Sequence, residues 1–107
     1  MGLIVSMMRK IALNQRRMDL EYKLLLINSS KLELSANVTE LENMGTDLDP
    51  NSAEAKALKK RQERLHLVEK RLDEQSQRYQ MQLKMIEAEM QTLDGQIDSN
   101  IQMTYAR

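Results

Sequence analysis

A chain of 107 residues with three Tyr and no Phe or Trp lacks the bulky side chains that fill a thick globular core, which argues against a sandwich or an α/β fold. The absence of Cys excludes disulfides and thiolate metal sites, and 16 Lys/Arg against 16 Asp/Glu removes the generic argument for a nucleic-acid or anionic-membrane partner. Three Gly and one Pro, beside abundant Leu, Met, Gln, Glu, Lys and Arg, make the composition that of long helices, so the expected fold class is all-α.

The chain starts Met1-Gly2-Leu3-Ile4-Val5-Ser6, which fits the loose myristoylation pattern, a match short enough to arise by chance. The apolar run there has no basic residue before it and stops at Arg9-Lys10. It therefore reads as neither a signal peptide nor a membrane span. The expected location is cytoplasmic, or outside by a route without a cleaved leader.

The first arm carries two apolar stripes. One is Ile4, Met8, Ile11, Gln15, Met18, Tyr22, Leu25, Ser29, Leu32 and Ala36. The other is Leu13, Leu20, Leu24, Ile27, Leu34, Val38, Leu41 and Leu48. They are two residues out of phase, and two residues at ~100° each place them on opposite sides of one helix. Asn28-Ser29-Ser30 could kink the arm, but the stripe phase runs straight through it.

Helix-breaking residues gather at Met44-Gly45-Thr46-Asp47-Leu48-Asp49-Pro50-Asn51-Ser52. Gly45 is expected to end the first helix in the left-handed conformation, and Pro50 to enter the first turn of the second. Asp49 or Asn51 is the expected cap, with Asn51 and Glu54 at capping-box spacing. Leu48, apolar within the turn, is expected to be buried against a neighbour.

The second arm has a heptad seam of Leu58, Leu65, Val68, Leu72, Tyr79, Leu83, Ile86, Met90, Leu93, Ile97 and Ile101, thinned near the turn by Gln62, Glu69 and Ser76. A shorter stripe, Met81, Met85 and Ala88, is again two residues out of phase with it. Gly95 interrupts this arm as either a close-contact point or a tolerated weak spot.

Pairing the Ile4 stripe with the seam at residue numbers summing to about 101 sets Ile4 against Ile97, Met8 against Leu93, Ile11 against Met90 and Met18 against Leu83. The midpoint falls at Pro50. The expectation is thus a long antiparallel two-helix hairpin, coiled-coil-like, as one domain over 1–107: helix about 3–44, turn 45–51, helix about 52–104. Charge supports the antiparallel sense. Residues 1–31 hold six bases and two acids, 32–55 six acids and no base, 56–71 seven bases and two acids, and 72–107 three bases and six acids. Folding at Pro50 sets blocks of opposite sign side by side.

No catalytic signature is present. His66 is the single histidine and reads as a solvated or edge residue, and neither the Glu87/Glu89 pair nor Asp73-Glu74 stands at a metal-binding spacing from it. The expectation is no enzyme, no cofactor and no metal. The basic band Lys56, Lys59, Lys60, Arg61, Arg64, Lys70 and Arg71 has no interleaved aromatic and reads as a solvated or paired face, not a nucleic-acid site.

A two-helix hairpin cannot bury both sides of its helices. With the Ile4 stripe assigned to the hairpin, the spare interface is Leu13, Leu20, Leu24, Ile27, Leu34, Val38, Leu41 and Leu48, with Met81, Met85 and Ala88 as a complementary surface. The expected partners are copies of the chain itself and other assembly components, and the expected role is structural. The rival expectation is a coiled-coil adaptor or chaperone that holds a partner on the spare face.

The Cys-free pair of helices, the loop Asp49-Pro50-Asn51 and the ending Asn100-Ile101-Gln102-Met103-Thr104-Tyr105-Ala106-Arg107 resemble the needle subunits of type III secretion systems and the helical core of flagellar-type axial proteins. The resemblance implies hairpins stacked helically around a narrow lumen, with both termini in the wall of a filament, needle or tube.

Overall fold

The computed structural model describes residues 2–105 and is an all-α helical hairpin. Helix α1 spans Gly2–Gly45 and α2 spans Ala53–Tyr105, with no strand among the described residues. Helix α1 is continuous through Asn28-Ser29-Ser30.

The connection is built by local hydrogen bonds. Thr46 donates its N–H (3.4 Å) and its Oγ1 hydroxyl (2.8 Å) to the Asn43 carbonyl, so α1 ends in a tightened last turn. Gly45 closes that helix without positive φ, so the left-handed ending expected of it does not occur. Its value is its missing side chain: a Cβ there would stand 3.0 Å from Leu58 Cδ2 on α2.

Pro50 does not enter α2. It occupies the second position of a β-turn closed by Ser52 N–H donating to Asp49 O at 3.0 Å, where its locked φ is favourable. Asp49 is spent within the turn, its Oδ1 accepting the Asn51 N–H at 3.1 Å. The cap of α2 is therefore Ser52, in place of Asp49 or Asn51. Its Oγ accepts the Ala55 N–H at 3.1 Å and donates to Asp49 O at 2.8 Å, while its carbonyl takes the first helical bond from Lys56 at 3.2 Å.

The chain packs as two compact units. One joins α1 up to Leu24 with α2 from Arg78 onward, and the other is Leu25–Gln77. In the first, Leu13, Leu20, Ile86 and Leu93 form the buried core, flanked by half-buried Tyr79, Leu83 and Met90. In the second, Ile27, Leu34 and Val38 are buried, with Ser76 buried and Leu58, Gln62, Leu65, Glu69 and Leu72 half-buried along α2. No described side chain falls below 2 % exposure, as expected where two helices meet along a single line of contact.

The α2 seam lies largely where the heptads put it, apart from Val68 and Ile101, which are 42 % and 38 % exposed. On α1 the assignment of faces is reversed. The inward stripe is Ser6, Lys10, Leu13, Arg17, Leu20 and Leu24 in the first unit, and Ile27, Lys31, Leu34, Val38 and Leu41 in the second. The stripe led by Ile4 faces out, with Ile4, Met8, Ile11, Met18, Tyr22, Leu25 and Leu32 between 59 % and 75 % exposed.

The register moves with the rotation. Gly2 lies beside Asn100, Gly45 beside Leu58, and Lys31 meets Asp73, numbers that sum to 102, 103 and 104. Lys10, Arg17 and Lys31 look like interruptions in the inward stripe, yet Lys10 and Lys31 each lay an aliphatic stem along the seam and carry the charge outward. The Lys10 Nζ reaches Asp94 at 2.6 Å, and the Lys31 Nζ reaches Asp73 at 2.5 Å.

Candidate interaction surfaces

With the hairpin closed, the residues expected to form an outer interface divide into two groups. Leu13, Leu20, Ile27, Leu34 and Val38 are buried within the chain, and Leu24, Leu41 and Leu48 are half-buried. This face is occupied by α2 and is not available to a partner, which corrects its assignment as a spare surface. Leu48 does not project from the turn: its N–H donates to Gly45 O at 3.3 Å and its side chain is half-covered.

Met81 and Met85 are 65 % and 68 % exposed, and Ala88 is also exposed. Beside them an open groove of ≈ 480 Å³ is lined by Arg9, Met85, Ala88, Glu89, Thr92, Leu93 and Gln96, its edge marked by Arg9 lying 3.4 Å from Glu89. Gly95 has no atom within 4 Å of a Cβ built on it, so within the chain it is not a close-contact point.

The surface that sequence reasoning missed is the Ile4 stripe. In the first unit Ile4, Met8, Ile11, Met18 and Tyr22 stand exposed along α1, with Val5 and Met7 beside them also exposed. Gln15 is the single polar member between Ile4 and Tyr22. In the second unit Leu25, Leu26 and Leu32 are exposed on the same helix. Val5, Met7 and Leu26 sit one residue from stripe positions, so a search of heptad flanks would have found them.

Several charged groups around this stripe are paired along α1. Asp19 pairs with Lys23 at 3.0 Å, one helical turn on, and Arg17 Nε lies 3.9 Å from Glu21 Oε1. The Asp19 carboxylate, hydrogen-bonded to the Lys23 ammonium, raises that ammonium above the ordinary lysine range. Lys23 Nζ also stands 5.9 Å from the Tyr79 ring centre. Arg17 has a fault at its base: its Nε is buried without a hydrogen-bond partner, although its Nη2 donates to Asn14 Oδ1 at 2.6 Å.

The charge blocks behave unequally. Arg9–Glu89, Lys10–Asp94 and Lys31–Asp73 join the first block to the last. Among the described residues no ion pair joins the acids of 32–55 to the bases of 56–71, so of the two readings of that basic band the structure shows the solvated face. Lys60, Arg61 and Arg64 instead border a shallow hollow with Ala57.

His66 Nδ1 lies 3.3 Å from Glu69 Oε2, both on α2. Among the described residues no group of three His, Cys, Asp or Glu could hold a metal, and no helix is long and apolar enough to cross a membrane. No protein-family model matches the chain, and neither a curated protein nor a solved structure matches it.

Proposed function

We propose that the chain is a structural, self-assembling helical-hairpin subunit whose copies associate through the outward stripe of α1. The observation that carries this reading is the exposure of Ile4, Met8, Ile11, Met18 and Tyr22 after the inner seam is closed. Isolated exposed apolar side chains are ordinary, but a heptad-spaced row of them along one helix is the mark of a packing surface. A filament, needle or tube of the secretion type is the form of assembly suggested by the sequence resemblance.

A coiled-coil adaptor or escort is the second reading. It is favoured by Met81 and Met85 beside the apolar groove, since flexible Met side chains suit surfaces that adapt to a partner. Size-exclusion chromatography with light scattering separates the two. The structural reading expects mass to rise with concentration beyond one chain, and negative-stain images to show an assembly. A monodisperse monomer at high concentration defeats it and leaves the adaptor.

A further inference from the structure

Which surface covers the outward stripe, and in which direction, follows from its chemistry. In the first unit it alternates Ile4, Ile11 and Met18 with Met8, Gln15 and Tyr22, at steps of four and three. The Met81/Met85 edge of α2 offers only two large apolar side chains and is too short to cover it. A second stripe of the same kind is long enough. Five large side chains about 60 % exposed present on the order of 600 Å² per copy, and ~1,200 Å² in total clears the size of a specific interface.

Two directions are possible for a pair of identical helices. Antiparallel, with the stripe covered from end to end, Ile4 meets Tyr22 of the second copy, Met8 meets Met18, and the Gln15 amide is set against Ile11. Asp19 then flanks Val5 of the second copy, and its carboxylate loses water to an apolar neighbour. In the parallel sense every stripe residue meets its own copy. Gln15 then stacks on Gln15, where each amide can both donate and accept, and Asn14 flanks Asp19. A polar side chain at one such position is the known device for fixing direction and register.

We infer that two copies of this chain pair through α1 in parallel and in register, with Gln15 against Gln15 at the centre of the contact. The inference rests on the self-assembly reading and specifies its first contact.

The native chain contains no Cys, so single-cysteine variants report without background. Ile4→Cys and Tyr22→Cys lie at the two ends of the stripe and are exposed, so neither disturbs the hairpin core. After mild oxidation each variant alone is expected to double in mass on a non-reducing gel. Self-linking only after the two variants are mixed would overturn the parallel direction. No linking in either case, with light scattering still showing more than one chain, would overturn this face while leaving self-assembly standing. A monomer by light scattering would overturn both. Gln15→Leu is expected to let the mixed link appear beside the self-links, and an unchanged pattern would remove Gln15 from its directing role.

Discussion

Gly45 ends α1 against Leu58 of α2, with 3.0 Å between Leu58 Cδ2 and the point a Cβ on Gly45 would occupy. Ala in place of a helical Gly gains up to ~1 kcal/mol, but here the leucine tip must move aside. Gly45→Ala alone is expected to leave stability nearly unchanged. In a Leu58→Ala background the same change should be more favourable by about 0.5–1 kcal/mol, because the two side chains are coupled. A double-mutant cycle in urea measures that coupling, and simple additivity would refute the contact.

The reversal of faces on α1 has a direct energetic test. Leu20 is 3 % exposed and Met18 is 59 % exposed, two residues apart on the same helix. Leu20→Ala should cost about 2–5 kcal/mol, toward the low end because a two-helix seam can relax. Met18→Ala should cost less than about 0.5 kcal/mol under conditions where the chain is monomeric. Equal costs, or the opposite order, would restore the Ile4 stripe to the hairpin.

Ser52 and Asn51 compete for the role of cap, and their hydrogen bonds assign it to Ser52. Ser52→Ala is expected to lower stability by about 1 kcal/mol through loss of the bond to the Ala55 N–H. Asn51→Ala should cost only a few tenths of that order, since the Asn51 contribution is a backbone N–H that Ala retains. Thermal unfolding followed by circular dichroism compares the pair.

Arg17 keeps a buried Nε without a hydrogen-bond partner in a seam position. Replacing it by Met retains the unbranched stem and removes the stranded donor, whose burial costs roughly 1–3 kcal/mol. After subtraction of the Nη2 bond to Asn14 and of the 3.9 Å pairing of Nε with Glu21, Arg17→Met is expected to stabilise the chain by less than about 1 kcal/mol. A destabilised variant would show that the guanidinium as a whole supports the seam.

Gly95 faces open space within the chain. Gly95→Ala should therefore stabilise α2 by somewhat less than ~1 kcal/mol, the ordinary helix-propensity gain. If light scattering also shows smaller assemblies for this variant, Gly95 is a contact between copies.

The number of helices, the turn between Gly45 and Ser52 and the α2 seam were legible in the residues themselves. Each depends on short-range properties: apolar period, helix-breaking chemistry and the handedness of the helix. Even the register came within three residues of that observed. The identity of the inward face of α1 was not legible. The stripes led by Ile4 and Leu13 differ by two residues, and shifting stripe and register together by two preserves the mirrored steps of the pairing. Charge could not break the tie, because Lys10, Arg17 and Lys31 look like breaks in a stripe when read as letters. Only packing in three dimensions decides it. Long stems can line a thin seam while their charged ends reach Asp94 and Asp73, which leaves the row led by Leu13 inside and the row led by Ile4 facing out. The same logic decided the turn, where Asp49 could have capped α2 by its spacing but is held by its own turn, and the cap passed to Ser52.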